Sequence, residues 1–390
     1  MKILFIASRF PYPALKGDQA RVLNFLKYLG KGNEIYFVCT TEVKPKEKDI
    51  EVVRSLVKEL YLIDLKKKEM YLRLLLTPLT LIPFEVMYFR SGEAQQIINE
   101  IIREKSIDVI FCQMIRTAPY VSGVNLPKVI DYQDAYSMNM MRRFKSERGL
   151  VKLVAFIEWQ LMKFYEKRML SHFDFITAVS EHDKKILGSD RKIKILPIGI
   201  NKWEKNASRV KDRLIFTGNL RYFPNRDAVT WFTRNVFPLV RRSIKDVTLQ
   251  IVGATPPGDV RTLSRFNGVE VIPNVPDIRD YIARATLAVA PMRSGSGTQF
   301  KVIEALSVGT PVLVSKTAMM GLDFLTEKSV VISDTNVKTF ARKLIKLLKD
   351  EGLRKSLAKN GREEVNKYYS WSEIGRKLEK ILIEAKENSR

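Results

Sequence analysis

The densest chemistry lies in APMRSGSGTQFKVIEALSVG, from Ala290 to Gly309. Gly295, Ser296, Gly297 and Thr298 are small residues at the start of a helix, where exposed backbone amides form a nest for an anion. Lys301 falls in the first turn, a poor place for a cation unless an anion sits beside it. Glu304, further along the same helix, can accept two hydrogen bonds from vicinal hydroxyls such as those of a ribose. A phosphate nest followed by a diol-binding carboxylate describes a nucleotide sugar, although a structural Gly-rich turn has the same composition. The spacing is not that of a Walker loop, because no G-x-x-x-x-G-K-[ST] occurs.

Two other loops follow apolar runs. TGNLRYFPNRDAV, from Thr217 to Val229, holds Arg221 and Arg226. Two guanidiniums there suit a diphosphate, or are solvated loop arginines. In SRFPYPALKGDQAR, Gly17 and Asp18 precede an amphipathic helix. Gly17 lets the backbone approach a ligand closely; the alternative is a turn with Asp18 as N-cap. The absence of G-x-G-x-x-G weakens a nicotinamide or flavin reading. His172 and His182 are the two histidines. Both read as structural or surface residues, His182 within a capping box of Ser180 and Asp183. In VIDYQDAYS, Asp131 and Asp134 are polar candidates after an apolar run. No D-x-D triplet or Cys/His cluster supports a metal.

Short apolar runs alternate with longer amphipathic ones along the chain, from KILFIAS and EIYFVCTT to TLAVAPM and PVLVS. Such alternation predicts parallel sheets covered by helices on both faces, and two successive sets predict two doubly wound α/β domains. A turn-rich polar stretch places the linker at roughly 198–212, dividing domains 1–199 and 200–371. Ligands of doubly wound sheets bind beyond the carboxyl ends of the strands, so the expected site is a cleft between the domains.

The formal net charge is +24, with 45% hydrophobic and 28% charged residues, which excludes a disordered chain. Two cysteines, Cys39 and Cys112, imply no disulfide framework and fit a reducing compartment. The charge asks for an anionic partner. It is dispersed, with one local excess of eight basic against three acidic residues between Met141 and Leu170. The start, MKILFIASRFPYP, reads as a buried strand and not a secretory signal. The apolar stretch from Tyr71 to Phe89 is interrupted by Arg73, Pro78, Pro83 and Glu85 and is no membrane span. It is a core helix or one lying on a bilayer beside Lys66, Lys67 and Lys68. The expected location is cytoplasmic, with the inner face of the plasma membrane as a peripheral site.

With FPYPALKGDQAR, FTGNLRYFPNRDAVTWF and APMRSGSGTQFKVIEALSVGTPVLVS in place, nearly the whole chain resembles the family 4 glycosyltransferases, in particular a bacterial subgroup for polysaccharide assembly. The resemblance implies the GT-B arrangement of two facing Rossmann-like domains, with the helix 372–390 crossing back onto the first. It implies retaining transfer without metal or cofactor, from a nucleoside diphosphate sugar, UDP- or GDP-linked, to a glycan or lipid-linked acceptor. Gly17 would face the donor diphosphate across the cleft, and Asn219, Arg221 and Arg226 would lie near its phosphates. The Gly295 to Thr298 amides would hold the diphosphate, Glu304 the ribose, and the backbone of Pro273, Asn274 and Val275 would lie against the base. Lys301, Arg226 and Asp134 are the residues expected at the reacting groups.

Two departures stand out. The family often has a carboxylate eight residues before the ribose-binding one, where this chain has Ser296. It often has a histidine where this chain has Gln113 to Arg116. Two rivals remain: a nucleotide-sugar epimerase of the same fold, and a non-catalytic basic protein that binds nucleic acid. The dispersed charge and lack of any helix-turn-helix, zinc-finger or RNP pattern count against the second.

Overall fold

A computed structural model describes residues 1–14, 16–66, 73, 80–205, 207–295 and 297–388. The chain divides into two compact units, Met1–Ile198 with Trp371–Arg390, and Gly199–Ser370. Both are Rossmann-like α/β units with parallel sheets.

The first unit holds β1 (Lys2–Ala7), β2 (Glu34–Thr41), β3 (Glu59–Asp64), β4 (Val109–Gln113), β5 (Lys128–Gln133), β6 (Phe175–Ala178) and β7 (Ile193–Ile195). Their order is β3-β2-β1-β4-β5-β6-β7. The strands are apolar throughout because the sheet is covered on both faces. Side-chain alternation sends Leu4, Ile6, Ile110, Cys112 and Ile130 into one core, and Ile3, Phe5, Phe111 and Val129 into the other. Cys39 and Cys112 are both buried in this sheet.

The second unit holds β8 (Arg213–Thr217), β9 (Thr248–Gly253), β10 (Val269–Pro273), β11 (Leu287–Ala290), β12 (Val312–Ser315) and β13 (Val331–Ser333). Their order is β10-β9-β8-β11-β12-β13. In each sheet the direction of strand addition reverses once, between β1 and β4 and between β8 and β11. Such a switch point opens a crevice at the carboxyl ends of the strands.

Helix α1 (Gly17–Leu29) follows β1, and α2 (Tyr136–Ser146) with α3 (Gly149–Leu170) follows β5. In the second unit α4 (Phe223–Trp231) follows β8, α5 (Ile278–Arg284) follows β10 and α6 (Phe300–Ser307) follows β11. Helix α7 (Trp371–Asn388) belongs to the first unit, burying Ile374, Leu378 and Leu382. A Cβ on Gly375 would lie 2.3 Å from Tyr28, so close packing of α7 on α1 requires glycine there.

Two expectations change, and a third falls mostly outside the described residues. DAVTWFTRNVFPLVRR is one amphipathic pattern, yet Phe232–Val236 forms a π-helical turn before the helix resumes at Phe237–Ser243. Pro238 has no N–H to continue the ladder, which explains the adjustment. The stretch read as a linker is tied to the second unit, with Ile200 N donating to Tyr369 O at 2.6 Å and Val210 N to Arg284 O at 2.8 Å. Much of the apolar stretch from Tyr71 (residues 71, 72 and 74–79), with Lys67 and Lys68, lies outside the described residues.

Asp131 is a structural residue, not a cleft residue. It is fully buried and accepts Arg21 Nε at 2.6 Å, a second Arg21 nitrogen at 2.9 Å and Thr177 Oγ1 at 2.6 Å. Arg21, equally buried, also donates to the carbonyls of Pro197 and Leu196 at 2.7 and 2.8 Å. The pair fastens α1 to β5 and to the chain leaving β7. Removing one partner leaves a buried charge without compensation, so Asp131→Ala should lower unfolding stability by about 3–5 kcal/mol, measured by denaturant titration.

Candidate functional site

The second unit gathers its polar groups where β8 and β11 end. After Thr217 the chain turns sharply through Gly218, at φ 152°. A Cβ on Gly218 would lie 2.8 Å from Asn225 Nδ2, and one on Gly253 would lie 1.9 Å from the Gly218 carbonyl oxygen. These crowded strand ends require glycine and bring Asn225 of α4 beside Gly218, while a side-chain hydrogen bond connects α4 and α6.

Asn225, on the buried face of α4, is the link between them. Its Nδ2 donates to the Asn219 carbonyl at 3.0 Å, and its Oδ1 accepts Lys301 Nζ at 2.5 Å. Lys301 also lies 4.6 Å from the Phe216 ring centroid and 3.5 Å from Met292 Sδ. Burial among these groups pushes the Lys301 ammonium down to about 7, against the opposing pull of Glu304. Burial likewise pushes the Glu304 carboxyl up to about 7, with Arg279 opposing and Asp277 adding to the shift. Arg279 is occupied by a two-point contact with Asp277 at 3.1 and 3.0 Å. The Glu304 carboxylate has no hydrogen-bond partner among the described residues. A half-neutralised cation and a carboxylate without partner, one turn apart, are suited to an anion and to hydroxyl groups respectively.

The loop before α6 has Gly295 at φ 113° and Gly297 at φ 79°, a region other residues rarely enter. Ser315 Oγ holds its base by donating to the Met292 carbonyl at 2.6 Å. The Thr298 hydroxyl is buried without a hydrogen-bond partner. Its backbone rests on Gly321, where a Cβ would sit 3.3 Å from Thr298 N. Ser296 lies outside the described residues. At the end of β10, Asn274 is held at φ 53° with its Oδ1 accepting Thr255 N at 3.1 Å. Pro273 and Asn274 are exposed, and Val275 is half-buried.

The structure separates the arginines from Lys301. Arg226 projects from the outer face of α4 and pairs with Asp259 at 2.5 Å, while Arg293 pairs with Asp227 at 3.6 Å. Both line a cavity of about 270 Å³ with Phe223 and Trp231. Helical geometry explains this: Arg226, Thr230 and Arg234 share one side, and Asn225 with Val229 another. Arg221 is exposed, its backbone N–H donating to Asn219 Oδ1 at 3.1 Å, so Asn219 braces the turn.

In the first unit, Gly17 begins α1 and a Cβ there would meet nothing within 4 Å. The N-cap is Lys16, whose backbone N–H donates to Gln19 Oε1 at 3.0 Å. Asp18 instead accepts Arg9 at 2.8 Å and Arg116 at 3.4 Å. Arg116 stands in the stretch where the resembled family often has a histidine. It is 2% exposed, donating also to Ser8 Oγ at 2.5 Å and Glu85 Oε1 at 2.7 Å, with Phe89 4.2 Å away. Asp134 lies exposed just past β5; crowding by protein and then the Asp183 charge push its carboxyl up to about 6. Ser180 Oγ accepts Asp183 N at 3.1 Å, the bond predicted for the segment around His182. His172 Nδ1 lies 3.0 Å from the Ser122 carbonyl. Among the described residues, no three His, Cys, Asp or Glu side chains gather as a metal site.

Residues 211–350 match the family model for glycosyl transferases group 1. The matched residues lie within the second unit. A curated relative, the uncharacterized 44.6 kDa protein in the cps region of Klebsiella pneumoniae, is 21% identical over 391 residues, covering 96% of this chain and 97% of its own. A solved glycosyltransferase from Rickettsia africae is 12% identical with a TM-score of 0.66 over 99% of both chains. Sucrose-phosphate synthase from Thermosynechococcus elongatus is 15% identical with a TM-score of 0.65, covering 98% of this chain and 99% of its own. Anabaena HepE, solved with UDP, is 12% identical with a TM-score of 0.65, covering 98% of this chain and all of its own. These structures share the fold, that of GT-B glycosyltransferases.

Asn225, Gly218 and Arg279 escape a reading by motif, because their importance lies in what they support. Within the second unit, Asn225 favours the charged form of Lys301 by accepting a hydrogen bond from it. Competitive acetylation followed by mass spectrometry should find Lys301 titrating near 7, and at lower pH in Asn225→Ala.

Proposed function

We propose that the chain is a retaining, metal-independent family 4 glycosyltransferase. It moves a sugar from a nucleoside diphosphate sugar to a glycan or lipid-linked acceptor in cell-surface polysaccharide synthesis. The observation that carries this reading is the short segment bearing Gly295, Gly297, Thr298, Lys301 and Glu304. There an unpartnered hydroxyl, a desolvated ammonium and a partnerless carboxylate follow a loop with two left-handed glycines. The glycosyltransferase group 1 match includes all five residues. The cps-region relative supports the polysaccharide role, and the UDP held by HepE supports a UDP-linked donor.

In this reading the loop amides and Lys301 bind the diphosphate, and Glu304 accepts the two ribose hydroxyls. The backbone of Pro273 to Val275 meets the base. Gly17 lets α1 approach the donor, and Asp134 contacts the sugar or acceptor. As the anomeric C–O bond breaks, negative charge grows on the β-phosphate, and donors fixed there act most strongly in the transition state. The acceptor oxygen bonds to the anomeric carbon on the face the phosphate leaves, and its proton passes to that phosphate. This route needs no histidine.

Thermal shift with UDP-, GDP-, ADP- and TDP-sugars followed by transfer assays tests the proposal. Lys301→Ala and Glu304→Ala should each lower kcat/KM by about 100-fold, ~3 kcal/mol, without changing the melting temperature. Near-normal turnover in both overturns the donor site, and release of an altered sugar nucleotide without acceptor identifies an epimerase. Affinity for UDP should peak near pH 7. It falls at higher pH as Lys301 loses its proton, and at lower pH as Glu304 gains one. Isothermal titration across that range measures it.

A further inference from the structure

Helix α3 is apolar on two opposite sides. Ala155, Glu158, Met162, Tyr165, Glu166 and Met169 form the stripe that packs on the first unit. On the opposite side Leu150, Leu153, Phe156, Ile157 and Phe164 face water, with Leu150 81%, Leu153 56% and Phe164 54% exposed. A helix apolar on both sides is ordinarily enclosed by protein or lipid. At its start Phe144 stacks on Trp159 at 5.8 Å, and Phe156 meets the same indole edge-on at 5.9 Å. A cavity of about 380 Å³, lined by Phe84, Glu85, Met140, Arg143, Val154, Ala155 and Glu158, lies on the packing side of α3 and is no part of this face.

The charges around this face are sorted by sign. Arg143, Lys145, Arg148, Lys152, Lys163, Lys167 and Arg168 are exposed. Of the three acids in the segment, Glu158 is buried and accepts the backbone N–H groups of Phe84 and Glu85 at 2.8 and 3.0 Å. Glu166 is buried and accepts Ser137 N at 3.0 Å. Glu147 lies 3.8 Å from Arg143. The acids turn inward or are paired, and the cations ring an exposed apolar surface.

We infer that α2 and α3 form a docking surface for an anionic lipid bilayer, with the apolar side of α3 entering the interface and the flanking cations meeting lipid headgroups. Apolar area and electrostatic attraction add in such binding, and aromatic rings favour the headgroup level. A second copy of the chain would bring the same cations together, which opposes self-association here. The binding lies flat: no described helix is long and apolar enough to cross a membrane. The sequence shows the local excess of basic residues between Met141 and Leu170 but not which side of α3 stays exposed. This inference stands apart from the sugar-transfer reading, because its test uses neither donor nor acceptor.

The full chain is sedimented with vesicles of phosphatidylcholine alone or mixed with phosphatidylglycerol, at low and high salt. Binding should require phosphatidylglycerol and weaken with salt. Leu153→Glu with Ile157→Glu, and separately Lys145→Glu with Arg148→Glu, should each lower the partition coefficient about tenfold or more. A matched reversal on the second unit, Lys338→Glu with Lys346→Glu, should retain binding. All substituted positions are exposed, and circular dichroism checks that each variant folds. No binding to the anionic vesicles, or equal loss in all three variants, overturns the inference. So does loss of a dimer in the Leu153 variant, seen by light scattering, with vesicle binding unchanged.

Discussion

A parallel strand covered on both faces can offer chemistry only where it ends. Its side chains are committed to two apolar cores and its backbone to its neighbours, so polar groups gather past the last paired residue. Both units obey this constraint. Asp134, Gly218, Asn274 and the loop from Arg293 all follow the carboxyl end of a strand, and Gln113 is the last residue of β4. Glycines and left-handed residues concentrate there too, including Met114 at φ 72° and Gln133 at φ 60°. Strained backbone of this kind persists where surrounding structure holds it, often near functional sites.

Three buried or half-buried cations illustrate how surroundings separate structural from reactive roles. Arg21 has four hydrogen bonds, and its charge is matched by Asp131. Arg116 is equally enclosed, shared among Ser8, Asp18 and Glu85. Lys301 has one amide oxygen, a thioether and a ring face, and no carboxylate in contact. Desolvation without a paired anion leaves it poised near neutrality. This incompleteness, together with the partnerless Glu304 carboxylate and the unpaired Thr298 hydroxyl, sets the loop before α6 and its first turns apart from a fully satisfied Gly-rich turn.

The net charge of +24 divides along similar lines. Some cations are locked in the interior, and some are paired at the surface, as Arg226 is with Asp259 and Arg293 with Asp227. The group around α2 and α3 differs because its acids face inward. Charge sign and exposure therefore reinforce each other on that side of the first unit, where they surround apolar side chains.

Strand runs, the α/β class and the helix start after Gly297 were legible in the sequence because each depends on local periodicity or on residues adjacent in the chain. So was the Ser180–Asp183 cap, which spans three residues. The likeness of the chain to sugar transferases was legible for the same reason, its motifs being contiguous. Tertiary structure decided what depends on distant partners. Asp131 read as a cleft carboxylate until Arg21, 110 residues away, was found against it. Asn225 was an unremarked loop residue until Lys301, 76 residues on, reached its side chain. The double apolar face of α3 emerged only when its packing stripe was known, since composition cannot say which side of an apolar helix the core will take. Short-range pattern determines which elements form, and burial and pairing across the fold determine which polar groups remain free to act.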